Sequence, residues 1–135
     1  MRPSARAVAF IAVMGAMGNV LFLLSQFVFT MGQIALDLSH VATFIAALYG
    51  GPGLGTLVGA LVGTGTGIYF GFVGGRLGLP GVFGLIGGKA LTGLTAGLIA
   101  SAMGGGQGRE LSSRKVVVLI PISYIPECIF TVIFF

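Results

Sequence analysis

The chain has 135 residues, of which 56% are hydrophobic and only 7% charged, and its mean hydropathy is +1.08. A soluble domain carries about 25% charged residues, so ten charges cannot cover a water-facing surface of this size. A single cysteine, Cys128, excludes a disulfide scaffold. The net charge of +4 is not a nucleic-acid footprint, because the basic residues sit at the ends of apolar runs. These features predict one all-α integral membrane domain over residues 1–135, with the lipid bilayer as its surroundings and no nucleic-acid partner.

A hydrocarbon core of about 30 Å needs roughly 20 apolar residues per helix. The apolar runs predict helix 1 at about Ala5–Phe29, a short helix 2 at about Leu38–Gly50, and helix 3 at about Gly53–Val73. Helix 4 follows at about Gly81–Met103 and helix 5 at about Val116–Phe135. The first run is too long for a signal-peptide core, and no cleavage pattern follows it. Gly51-Pro52-Gly53 is a turn, Gly74–Pro80 separates helices 3 and 4, and Gly104–Lys115 separates helices 4 and 5. The stretch Thr30–Asp37 is mixed in character and reads as a folded loop at the mouth of the protein.

Positive charge orients the bundle. With the N-terminus cytoplasmic, Arg2, Arg6, Arg109, Arg114 and Lys115 lie inside and only Arg76 lies outside. A fifth helix then ends outside, and the chain stops at Phe134-Phe135 within apolar sequence. A sixth helix is therefore expected beyond the five visible ones, with a five-helix protein as the alternative.

Small residues recur at helical spacing. Helix 1 carries Ala5, Ala9, Ala12 and Ala16 on one face. Helix 3 carries Gly55, Gly59, Gly63, Gly67 and Gly71, and helix 4 carries Gly84, Gly88, Thr92, Ala96 and Ala100 with Gly93 and Gly97 beside them. Such rows serve close packing of membrane helices. The alanine row of helix 1 begins at the cytoplasmic end and is the best candidate for a face toward another protein.

Two full charges lie inside predicted spans, Lys89 and Glu127. An ionisable group there costs about 2.5–3.5 kcal/mol on insertion scales, which makes each a functional candidate. By helix rise, Lys89 lies about 12 Å and Glu127 about 14 Å below the outer boundary. At this shared level they are either a structural ion pair or a pair around a ligand. Asn19, Tyr69, Asp37 and His40 are predicted in the same outer half and complete the candidate set. Asp37 and Ser39 have a second reading as the N-cap of helix 2. His40 has no HxH, HxxE or CxxC partner, so no metal is expected. No GxSxG elbow or Walker loop is present, and Gly63-Thr64-Gly65-Thr66-Gly67 lies within a span rather than after a strand. No enzymatic activity, catalytic residue or cofactor is expected.

Three stretches resemble the S components of energy-coupling factor (ECF) transporters, the small membrane subunits that capture vitamins for an ATP-driven module. They are Leu36–Val41 running into Ala46–Gly53, the alanine row Ala5/Ala9 or Ala12/Ala16, and Gly88–Leu98. The resemblance implies a six-helix bundle with both termini inside, in the plasma membrane of a prokaryote. It implies a water-soluble vitamin or similar micronutrient as substrate, with a coupling transmembrane subunit and two ATPase subunits as partners. It also implies that loop 1, about Gln26–Asp37, covers the ligand, which adds Gln33 to the substrate-binding candidates. Two other functions fit the residues: a subunit of a small ion-coupled secondary transporter with Lys89 and Glu127 as relay groups, and a ligand-free glycine-zipper subunit.

The charge distribution makes a direct prediction. In a Cys128→Ser background, a cysteine at Ser112 is expected to resist a membrane-impermeant maleimide in intact cells, and one at Gly75 to react. Labelling at Ser112 from outside would reverse the assigned orientation.

Overall fold

A computed structural model describes residues 4–28, 30–31, 34–35, 37–75, 77–105 and 111–135. Helix α1 spans Ala5–Val28. A minimal antiparallel pair follows, β1 (Thr30–Met31) with β2 (Ile34–Ala35). Helix α2 spans His40–Ile68 and runs on into a π-helical turn, Tyr69–Val73. Helices α3 (Gly78–Ala102) and α4 (Ser113–Phe134) complete the bundle.

Four helical runs are long and apolar enough to cross a membrane: Ala5–Val28, His40–Val73, Gly78–Ala102 and Ser113–Phe134. Their length and composition are those of a multi-pass membrane protein. The expectation of five separate helices is corrected here. The stretches expected as helices 2 and 3 form one helical run, broken at Gly51, and residues 40–50 reach only about 16 Å, half a membrane. The sixth helix implied by the resemblance is not among the described residues.

The break at Gly51 reverses the chain. Gly51 has φ 79° and ψ −174°, a left-handed conformation that glycine adopts without a Cβ penalty. Pro52 follows, with its backbone angle preset for a first helical turn and no N–H to satisfy. In a straight helix Ala47 and Gly55 would stand about 12 Å apart. Instead a Cβ placed on Gly55 would lie 2.8 Å from the Ala47 Cβ. Ala46 and Val58 likewise share one core cluster with Val62. The two arms of α2 are therefore an antiparallel hairpin, the first arm half as long as the second.

Glycine sets how closely the second arm of α2 meets α3. A Cβ on Gly55 would lie 2.6 Å from the Gly93 carbonyl oxygen, on Gly63 2.7 Å from Leu85 O, and on Gly67 2.9 Å from Val82 Cα. Gly59 sits on the backbone of Lys89, and Gly97 on Pro52. The glycine row expected on helix 3 thus packs against the backbone of α3, with Gly93 and Gly97 on the facing side, whereas Gly84, Gly88 and Thr92 of the row expected on helix 4 face α4. The other side of α3 faces α4: Thr95 donates to the Ser123 carbonyl at 2.8 Å, and Gly88 lies against Glu127.

Contacts also fix the direction of each helix. Gly15 meets Leu61, Gly18 meets Val62 and the Asn19 amide meets Gly65, so α1 runs parallel to the second arm of α2. The start of α1, the Gly51 turn, Met103 and the start of α4 therefore share one end, where Lys115 donates to the Met103 carbonyl at 2.8 Å. Arg6, Arg114 and Lys115 lie at that end, as the charge pattern requires, while Arg2, Arg76 and Arg109 fall outside the described residues.

The seam predicts an asymmetric response to added bulk. Gly55→Val or Gly63→Leu is expected to cost about 1–3 kcal/mol and lower the thermal midpoint in detergent. Gly53→Ala, with nothing within 4 Å of the new carbon, is expected to be neutral. Equal effects at the three positions would contradict the seam.

Candidate functional site

The first arm of α2 begins inside the bundle, beside Lys89 of α3. The Lys89 side chain is 1% exposed, and its ammonium meets three acceptors. It donates to Asp37 Oδ2 at 2.6 Å and to Ser39 Oγ at 2.8 Å, and lies 3.2 Å from His40 Nε2. An ammonium has three N–H bonds, so this set saturates it. Asp37 is held in turn: its Oδ1 accepts the Ser39 N–H at 2.9 Å. The Leu38 N–H donates to Ser25 Oγ at 2.9 Å, tying the same stretch to α1.

Ser39 precedes the helix but makes no capping bond, and its backbone is already helical. Ser39 gives its hydroxyl to Lys89 and not to a cap, while Asp37 serves both expected roles: Oδ1 accepts the Ser39 N–H as an N-cap carboxylate does, and Oδ2 binds the ammonium. Burial pushes the Asp37 carboxyl up, but the charge and hydrogen bond of Lys89, with Ser39, outweigh it and hold the carboxyl below its usual value of 3.8. The folded value is the lower one. The pair therefore stabilises the fold above the ordinary carboxylate range and loses that contribution as pH falls through the lowered value.

Glu127 of α4 stands on the other side of His40. It is 7% exposed and accepts a short hydrogen bond from Thr92 Oγ1 of α3. Its Oε2 lies 3.8 Å from His40 Nδ1, beyond hydrogen-bond distance. Among the described residues, His40 Nδ1 is buried without a hydrogen-bond partner, as is the hydroxyl of Thr43 one turn further along α2. Tyr124, three residues before Glu127 and so on the same face of α4, sets its ring edge-on to His40 at a centroid distance of 5.0 Å.

Lys89 and Glu127 thus lie in one cluster, as their depths predict, yet Lys89 pairs with Asp37 and not with Glu127. The sequence places both at one level but not their azimuth, and α3 turns the ammonium toward the start of α2 while Thr92 faces α4. Asp37 and His40 join the cluster. Asn19 and Tyr69 belong to a different group, between α1 and the second arm of α2. There Asn19 donates to the carbonyls of Gly15 (2.9 Å) and Leu61 (3.2 Å), and Phe22 packs edge-on against Tyr69 at 5.4 Å. Asn19, Phe22, Leu23 and Gly65 line a groove of about 170 Å³. Gln33 lies outside the described residues. Sequence reasoning missed Ser39 as a ligand of Lys89, and missed Thr92, Thr43 and Tyr124. Tyr124 was legible from its helical spacing to Glu127; Thr92 was hidden in a row of small residues.

The alanines of α1 face outward. Ala5, Ala9, Ala12 and Ala16 are all exposed, while Gly15 and Gly18 on the opposite side are buried against α2. Among the described residues no group of three or more His, Cys, Asp or Glu is arranged to hold a metal. Comparison with protein-family models, with curated proteins and with solved structures gave no match to this chain.

The contacts rank two couplings. In double-mutant cycles of thermal stability, Lys89 with Asp37 is expected to show the larger interaction. Lys89→Met alone is expected to cost about 3–5 kcal/mol by leaving Asp37 uncompensated, and adding Asp37→Asn to recover part of it. A larger coupling between Lys89 and Glu127 would overturn the assigned pairing.

Proposed function

We propose that this chain is the substrate-capture subunit of an ECF-type transporter in a prokaryotic plasma membrane. In this reading it binds a small water-soluble micronutrient from the outer side and passes it through a coupling transmembrane subunit driven by two ATPase subunits. The observation that carries the reading is the cluster of buried His40, Lys89 and Glu127 with half-buried Asp37 in an otherwise apolar bundle. Ionisable groups are kept in such a place for function, and here two of them come from the segment that follows the loop after α1. Loop 1 thereby reaches the polar centre of the bundle, which suits a cover over a captured solute. The outward alanine face of α1 suits close approach by a partner helix. Asn19 and Tyr69 support this reading less directly, since Asn19 lines a separate groove and Tyr69 packs on Phe22 beside it. Gln33 belongs to the same loop as Asp37 and is kept as a substrate-binding candidate.

Two measurements on one preparation test the proposal. Native mass spectrometry of the chain purified from cells is expected to show a non-lipid small molecule at one per chain. Co-expression with a coupling subunit is expected to give a complex that Ala12→Trp disrupts while the small molecule stays bound. A chain that carries no solute and forms no such complex is not a capture subunit. Uptake that persists without any ATPase would favour an ion-coupled secondary transporter instead.

A further inference from the structure

The hydrogen-bond capacity of the cluster is unevenly spent, and the unspent part has a definite chemistry. Lys89 has no donor left, because Asp37, Ser39 and His40 occupy all three. Its charge is matched by Asp37 at 2.6 Å. Lys89 is therefore not free to receive an anionic ligand.

Glu127 is in the opposite position. Its carboxylate, 7% exposed, is in contact with a hydroxyl from Thr92 and with no cation among the described residues. His40 Nδ1 lies 3.8 Å from its Oε2. An ammonium can only donate, so a neutral imidazole with Nε2 at 3.2 Å from Lys89 accepts there, which assigns its own hydrogen to Nδ1. Among the described residues that nitrogen, buried inside the protein, has no hydrogen-bond partner. Counted together, Lys89 and Asp37 cancel, and among the described residues the buried Glu127 carboxyl has no cation in contact and stands beside a ring nitrogen with no hydrogen-bond partner, so a cation placed there would be what allows it to carry its charge. A buried charge is retained only where something compensates it.

We propose that the substrate of this site carries a cationic nitrogen, that Glu127 receives it, and that His40 Nδ1 donates to an acceptor atom on the same molecule. Thr92 is a positioning residue that holds the Glu127 carboxylate. Tyr124, 40% exposed and stacked edge-on to His40, adds an aromatic surface of the kind that favours organic cations. Lys89, Asp37 and Ser39 act as the frame that sets the His40 tautomer rather than as ligand contacts. This inference rests on the capture reading and narrows its substrate to organic cations with a nearby hydrogen-bond acceptor.

The test separates ligands by charge. A small-molecule filtrate of yeast extract is split three ways: untreated, passed over cation-exchange resin, and passed over anion-exchange resin at neutral pH. Each is incubated with the detergent-solubilised full chain and measured by native mass spectrometry. The expected bound species appears with the untreated and anion-depleted filtrates and is lost, at least tenfold, from the cation-depleted one. A species that survives cation depletion, whether lost with the anions or retained in both, overturns the inference and leaves the capture reading standing. A chain that binds nothing from any fraction sinks the capture reading itself. Glu127→Gln is expected to lose the species at least tenfold, while Glu127→Asp, which keeps the carboxylate, retains the preference for the cation-containing fractions. Because the aspartate variant keeps the charge, its loss of that preference would count against Glu127 even if the glutamine variant failed to fold.

Discussion

A lysine ammonium with almost no exposure is the constraint on which this bundle is organised. In an apolar surrounding it needs an opposite charge and acceptors for every N–H. No helix supplies all of these from its own turns. The acceptors come from the start of α2, so residues 37–40 must enter the bundle instead of staying at its rim. That requirement explains why the first arm of α2 is short. It begins at the depth of Lys89 and needs only half a membrane thickness to reach the Gly51 turn.

The glycine seam makes this arrangement geometrically feasible. With a side chain at Gly55, Gly59 or Gly63, α3 would stand further from α2, and Lys89 would no longer reach the segment that neutralises it. Tight backbone contact and a buried ion pair are thus two parts of one solution. Lipid offers little hydrophobic drive between helices, so close packing and internal polar contacts must supply the association. The chain uses both at the same level of the bundle.

Within that frame the two sides of His40 are chemically unlike. One side is closed, with Lys89, Asp37 and Ser39 mutually satisfied. The other holds the Glu127 carboxyl bonded to Thr92, a ring nitrogen without a partner among the described residues, and the Tyr124 ring. The closed half provides rigidity, and in the proposed function the other half is the one that receives the solute. The outward alanine face of α1 lies away from both, so a partner helix could pack there without disturbing the polar centre.

Much of this was written in the sequence. Apolar runs near twenty residues long announce membrane helices, because the hydrocarbon core dictates their length. The Gly51-Pro52 reversal, the glycine rows and the common depth of Lys89 and Glu127 follow from glycine geometry and from 1.5 Å of rise per residue. Even the outward face of α1 was legible in its alanine spacing. What the sequence did not settle was azimuth: depth along a helix is additive in residue number, whereas the direction a side chain faces among its neighbours depends on how helices rotate and cross. Tertiary structure alone therefore decided that Lys89 turns to Asp37, that His40 separates it from Glu127, and that Asn19 and Tyr69 stand apart. It also decided that the half-length arm of α2 begins within the bundle, because only packing against α3 shows how deep a loop descends.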